Sequence, residues 1–238
     1  MKLKLLGVGN NAKTVKGDGS EYLTAIMYLT PADKVEGVNL CPMAVLAGCK
    51  AGCLDTAGRG QMNSVQAARM RKTVFWRDYR ELFIDQLRQD IQQFSKYCKK
   101  KGIQACVRLN GTSDIRWENY LDMQGEFPEV QFYDYTKIYK RALKYVAGGY
   151  VKNYHLTYSL CEDNKKEAFN ILKLGGNISA VFRKYIPKSF KNYNVINADE
   201  TDLRFLDKFK NQVGGLICGL IAKGPAKKDF SGFVLDAQ

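Results

Sequence analysis

From Ile103 onward the chain alternates short runs of strand-forming residues with runs of helical periodicity, and no other feature restricts the fold as tightly. Strands are expected at Ile103 to Leu109, Val130 to Tyr135, Tyr154 to Ser159, Ile178 to Phe182, Asn194 to Asn197 and Leu216 to Ile221. Helical segments are expected near Ile115 to Tyr120, Lys137 to Val146, Lys165 to Leu174 and Thr201 to Phe205. Repeated β-α alternation implies parallel strands joined by right-handed crossovers. The expected fold class is therefore α/β, a partial (β/α) barrel of about six mostly parallel strands.

The residues before this region divide into three stretches. Residues 1–38 hold one clear strand, Tyr22 to Leu29, after a Gly-rich polar loop (Lys16 to Ser20) suited to closing a hairpin. Residues 39–62 carry three close cysteines and four glycines with no clear periodicity, a composition that suits a loop wrapped around something. Residues 63–101 read as two helices, the first capped by Asn63 or Ser64 and showing Val65, Ala68, Val74 and Phe75. The second starts near Arg80, carries Leu82, Phe83, Leu87, Ile91, Phe94 and Cys98, and ends in Lys99-Lys100-Lys101-Gly102. That basic end complements the helix dipole. At 238 residues one domain is expected, with residues 102–238 as its β/α region and Ala226 to Gln238 as a terminal strand.

Seven cysteines form an odd set, and no export signal or long apolar span is evident, so the expected setting is the reducing cytoplasm. Disulfides are disfavoured there, and metal ligation becomes the better reading of any cysteines that cluster. The formal net charge is +13, from 37 Lys+Arg against 24 Asp+Glu. Such a balance attracts anionic partners, nucleic acid among them, although a solvated lysine surface accounts for it equally well.

In parallel α/β folds, ligand groups project from the carboxyl ends of the strands. Polar sequences recur at those ends, from Asn110-Gly111-Thr112-Ser113-Asp114 to Lys223-Gly224. Asn110, Asp114, Lys137, Ser159, Asp199 and Lys223 are the candidates for lining a shared catalytic mouth around a small-molecule or anionic substrate. Helix capping is the competing explanation for Asp114 and Asp199.

Cys41, Cys49 and Cys53 give the spacing C-x7-C-x3-C. Three soft thiolates within one short loop can converge on a single centre and select an iron–sulfur cluster, zinc or Cu(I). A [4Fe–4S] cluster tolerates irregular spacing, whereas structural zinc favours ligand pairs two to four residues apart. Zinc stays an alternative metal, with the sole histidine, His155, as a conceivable fourth ligand. Cys161, beyond a strand end, is the candidate for the fourth iron; left open, that iron offers Lewis-acid chemistry. Arg59 and Arg69 follow closely and are candidates to offset cluster charge or to bind phosphate.

The order Asn39-Leu40-Cys41-Pro42, Cys49, Cys53-Leu54, Gly58-Arg59-Gly60, Arg108 to Asp114, Tyr135-Thr136-Lys137, Ala222-Lys223-Gly224 and Ser231-Gly232-Phe233-Val234 resembles a phage family. That family, of unassigned function, is named for gene product 88 of a mycobacteriophage. The resemblance implies a virus-encoded protein working in the cytoplasm of a bacterial host. A weaker likeness is to radical SAM enzymes, which place three cysteines on a loop beside a parallel barrel. It implies S-adenosylmethionine as a cofactor, but their C-x3-C-x2-C spacing differs from the one here.

The leading expectation is a phage iron–sulfur protein, with enzymatic activity at an open iron as an option. A nucleic-acid-binding module with a structural metal is the second, with Tyr133-Asp134-Tyr135-Thr136-Lys137-Ile138-Tyr139-Lys140 as a stacking segment. A metal-assisted hydrolase using Ser159, Asp114 or Asp199 is the third. Without a G-x-S-x-G elbow or a second histidine, a serine triad is disfavoured.

Overall fold

Runs rich in Val, Ile, Tyr and Phe favour the extended backbone, and the strands lie where those runs occur. The structure is a computed structural model and describes residues 3–9, 21–46, 53, 55, 58–149, 151–208 and 214–237. The chain packs as two compact units. The first holds residues 1–41, 60–134 and 151–155; the second holds residues 42–59, 135–150 and 156–238.

In the first unit, β1 (Leu6–Val8) runs antiparallel to β2 (Tyr22–Met27), with Leu6 opposite Met27. Strand β3 (Gln104–Arg108) lies parallel to β2, and β4 (Gln131–Thr136) parallel to β3. Helix α1 (Asn63–Asp78) and helix α2 (Arg80–Lys101) meet at Tyr79. Met62 occupies the cap position of α1 without a side-chain bond, so neither Asn63 nor Ser64 caps it. Gly102, in the left-handed conformation, ends α2 and donates to the carbonyls of Cys98 and Lys99.

Both helices hold the edge strand. The N–H just before β1, on Leu5, donates to Asp90, and its carbonyl accepts from the Lys72 ammonium at 2.7 Å. Partial burial pulls the Lys72 pKa down to about 8. Trp76 of α1 packs edge-on against Phe83 of α2 and against Trp117 and Tyr120 of the loop after β3, at 5.1 to 5.3 Å. Asn153 pins the approach to β4 by donating to the carbonyls of Met123, Phe127 and Val130.

In the second unit the strand order is β5 (Tyr154–Ser159), β6 (Ile178–Phe182), β9 (Ile217–Ile221), β8 (Tyr193–Asn197), β7 (Ser189–Phe190). All neighbours in that order are parallel except the β7–β8 hairpin. Strand β5 pairs with the start of β6, and β10 (Val234–Leu235) takes the place beside its end, parallel at Val181 and Phe182. Helices α4 (Tyr139–Lys144) and α5 (Lys165–Lys173) supply Ala142, Ala168, Ile171 and Leu172 to the core beneath β6; α3 (Met123–Glu126) is a single turn in the first unit.

The barrel expectation is corrected. The run of strands in each unit is mixed and open: in the first β1 has β2 as its one neighbour, in the second β7 has β8, and both of those pairings are antiparallel. A barrel requires its first and last strands to pair, and here each run of strands ends in a free edge. The radical-SAM-like architecture falls with it. The other strands nonetheless stand within a residue or two of their expected places, whereas the terminal strand expected over Ala226 to Gln238 is confined to Val234–Leu235, β10, after a 3-10 turn at Gly224–Lys228.

Among the described residues, no helix is long and apolar enough to cross a membrane. A close backbone crossing lies where the turn after α5 meets the residues before β9. A Cβ on Gly215 would stand 1.8 Å from the Gly176 carbonyl oxygen, a contact with no flexible side chain to yield. Gly215→Ala is therefore expected to lower stability by about 3 kcal/mol in urea unfolding, the upper range for overpacking.

Candidate functional site

The sequence Asn110-Gly111-Thr112-Ser113-Asp114 follows β3, and Asn110 is 3% exposed. Its Oδ1 accepts from the Ser113 hydroxyl (2.8 Å), the Ile115 N–H (2.9 Å) and the Trp117 indole N–H (3.0 Å). Its Nδ2 donates to the Ile115 carbonyl and to Asp134 Oδ2, and its own N–H donates to Asp134 Oδ1 at 2.8 Å. The Tyr154 hydroxyl donates to the same Asp134 carboxylate. The carboxamide is thus fully committed to holding the loop in shape.

That loop docks the first cysteine. The Cys41 thiol lies 3.5 Å from the Thr112 carbonyl, and the Asp114 N–H donates to the carbonyl of Leu40 at 2.8 Å. The Thr112 hydroxyl donates to Leu29, while the Gly111 N–H donates to Met27. Gly111 has no room for a side chain: a Cβ would meet the Met27 carbonyl and the Tyr28 ring within 2.7 Å. Arg69, 7% exposed, lies over that Tyr28 ring at 5.1 Å from its centroid. It is a packed residue of α1, whereas Arg59 is exposed in the short turn Gly58–Gln61.

Cys41 and Cys53 are both partly exposed and carry no disulfide, and the Cys53 sulfur accepts from the Asp55 N–H at 3.5 Å. Cys49 lies outside the described residues. Among the described residues, no three of His, Cys, Asp or Glu gather into a metal-sized group. Cys98, Cys106, Cys161 and Cys218 are buried. Burial raises all four thiols, Cys98 to about 11 and Cys106 to about 12.

In the second unit the structure brings Lys137, Ser159 and Cys161 together. The Lys137 ammonium reaches the carbonyls of Ser159 and Leu160 at 3.5 Å and lies 5.4 Å from the centre of the Phe233 ring. The Ser179 hydroxyl donates to the Ser159 hydroxyl. Asn164 bridges the turn, accepting from the Cys161 N–H and donating to the Ser159 carbonyl. Asp199 and Lys223 form an ion pair with each other, and Asp199 also accepts from the Ile221 N–H at 3.0 Å.

A buried charged group in this unit was not anticipated. Arg204, fully buried, pairs with Asp207 at 3.2 Å and donates to the Thr201 carbonyl. The Cys218 thiol donates to Asp207 at 3.3 Å, and the Tyr135 hydroxyl donates to Asp202. Burial raises the Asp207 carboxyl above its usual range, opposed by the Arg204 charge. The available sequence signal was the run Asp202-Leu203-Arg204-Phe205-Leu206-Asp207, charges alternating with apolar residues in a segment expected to be helical. A recess of about 320 Å³ lined by Tyr120, Leu121, Met123 and Val151 contains none of the expected site residues.

Two outcomes follow. Asn110→Ala strands the Trp117 indole N–H and the Ile115 N–H in a dry site, and a loss of about 3 kcal/mol is expected in urea unfolding. Arg204→Met leaves Asp207 buried without its cation, at about 3–5 kcal/mol near pH 8. Because burial raises that carboxyl, the folded variant takes up its proton before the unfolded chain does. Its deficit is therefore expected to shrink as pH falls and to grow as pH rises through the folded-state value. Urea titrations at several pH values read this directly.

No curated protein and no solved structure matches the chain. A family model described as gene product 88 matches residues 3–237. The motifs from the cysteine loop to the closing Ser231-Gly232-Phe233-Val234 thus sit within one continuous match, and the chain belongs to the gene product 88 family of phage proteins.

Proposed function

We propose that this phage protein binds a [4Fe–4S] cluster through Cys41, Cys49 and Cys53. The C-x7-C-x3-C spacing carries the reading, since few other arrangements explain three thiols in so short a glycine-bearing loop. The contrast among the cysteines supports it. Four of the six described thiols are buried and held protonated, as core residues are, whereas Cys41 and Cys53 of the loop remain partly exposed.

The donor set fits such a group. The Asp55 N–H directed at the Cys53 sulfur is the kind of hydrogen bond that stabilises a cluster thiolate and tunes its potential. Cys41 is positioned from its backbone, where its N–H donates to Asn39 Oδ1, and through the loop after β3. A bound cluster would supply electron-transfer or Lewis-acid chemistry. Asn110, Ser113 and Trp117 serve by fixing the loop on which Cys41 rests. The reducing cytoplasm of the host is the setting in which these thiols stay available.

Anaerobic purification, reconstitution with iron and sulfide, and metal analysis test the proposal. The expected result is about four irons and four sulfides per chain, with an electron paramagnetic resonance signal on reduction. Cys41→Ala, Cys49→Ala and Cys53→Ala should each lose most of the iron, while Cys98→Ala should retain it. A colourless protein after reconstitution, one zinc per chain, or a Cys41→Ala variant with full iron content would overturn the assignment.

A further inference from the structure

The stacking segment expected at 133–140 is occupied by the fold. Tyr133 is fully buried with its hydroxyl on Thr24, and Tyr139 packs into the core beneath β6. Exposed aromatic rings and unpaired lysines occur together elsewhere, where the chain leaves β6.

No acidic residue lies between Glu167 and Asp199. That stretch contains Arg183, Lys184, Tyr185 and Lys188, followed by the β7–β8 hairpin with Lys191 at its turn. Lys184, Lys188 and Lys191 are exposed, and none has an ion-pair partner among the described residues. Lys191 and Asn192 both have positive φ, 50° and 67°, which folds the hairpin tightly and presents Lys191 at its tip.

Two large aromatic rings stand in water in this region, Tyr185 next to Lys184 in the chain and Phe230 against the side chain of Arg183, the residue before Lys184. Phe230 is 83% exposed and Tyr185 is 57% exposed. Neither ring is left loose. The Arg183 guanidinium lies over Phe230 at 4.5 Å, and the Tyr185 hydroxyl donates to the Ala237 carbonyl at 2.9 Å. Arg183 is itself fixed, donating to Asp236 and to the Asp229 carbonyl. The nearby acids are engaged as well: Asp236 with Arg183, and the Asp229 carboxylate with the Ser231 hydroxyl and the Val234 N–H.

Guarding an edge strand explains lysines at Lys188 and Lys191. It does not explain two large aromatic rings in solvent, which work against solubility unless something covers them. Exposed, anchored rings near unpaired cations are what single-stranded nucleic acid requires, because any base can stack on a free ring face while lysines meet the phosphates. Acidic peptides would use the lysines without the rings. We infer that Tyr185, Phe230 and the lysines at 184, 188 and 191 form a binding surface for single-stranded nucleic acid, independent of the cysteine loop.

Fluorescence anisotropy of the full chain with a labelled oligothymidine of about 16 nucleotides tests this. Binding that weakens steeply with salt is expected. Phe230→Ala and Tyr185→Ala should each reduce affinity about tenfold, and Tyr185→Phe should retain most of it. Changing Lys184, Lys188 and Lys191 together to Gln should flatten the log–log salt slope by about 2. The corresponding change of Lys99, Lys100 and Lys101, at the end of α2, should leave the affinity within about twofold. Phe230 is exposed enough for its variant to fold, which circular dichroism verifies. No binding at low salt overturns the inference. So does wild-type affinity in folded Phe230→Ala and Tyr185→Ala, or equal affinity for polyglutamate or anionic phospholipid vesicles.

Discussion

A single buried carboxamide organises the strand-end region of the first unit. Asn110 gathers a hydroxyl, a backbone N–H and an indole N–H on one oxygen while its nitrogen and backbone face Asp134. Water cannot substitute for so many partners in so little space, so the loop has one shape. Trp117, fixed by this bond, then packs against Trp76 of α1, which ties the helical layer to the end of β3. The same loop offers the carbonyl of Thr112 to Cys41. Helix packing and cysteine placement in that unit therefore depend on one side chain.

The second unit solves a different problem, the accommodation of charge away from water. Arg204 is surrounded by Asp207, Asp202 and the Tyr135 hydroxyl acting on Asp202, and Cys218 adds a thiol donor. Such groups add little net stability compared with an apolar core, yet they tolerate only one arrangement. Its exposed side shows the reverse situation, where lysines without acids flank ordered rings. Opposite treatments of charge thus occur within one unit, one enclosed and balanced, the other open and uncompensated.

Much of the secondary structure was legible because local pattern encodes it. The strand runs from Ile103 onward, the junction near Arg80 and the Gly102 cap all correspond to observed elements. Cys98, placed on the apolar face of the second helix, is buried there. Closure of the sheet was not legible: the same β-α alternation serves a barrel and an open sheet, and the difference lies in which strands remain at the edges. The two-residue β7 is too short to announce itself, yet it ends its run. Asn110 was legible as a polar strand-end residue. Its partners were not, since Asp134 comes from within the next strand, 24 positions on, and residue type alone does not disclose a hydrogen-bonding role. Arg204 escaped notice for a related reason, because a charge within an apolar run reads as a helix face in water until its partners are known.

The two residues of β10 have a temporal meaning as well as a spatial one. They complete the flank of β6 that β5 leaves uncovered, and the segment carrying them supplies the anchors for Arg183 and Tyr185. During synthesis the central strand of the second unit emerges about fifty residues earlier, a delay of several seconds at bacterial translation rates. Until Val234 and Leu235 leave the ribosome, that half-paired strand presents free N–H and C=O groups to its surroundings. The nascent chain is then open to wrong strand pairing at that flank, and the exposed lysines following β6 oppose the approach of other copies.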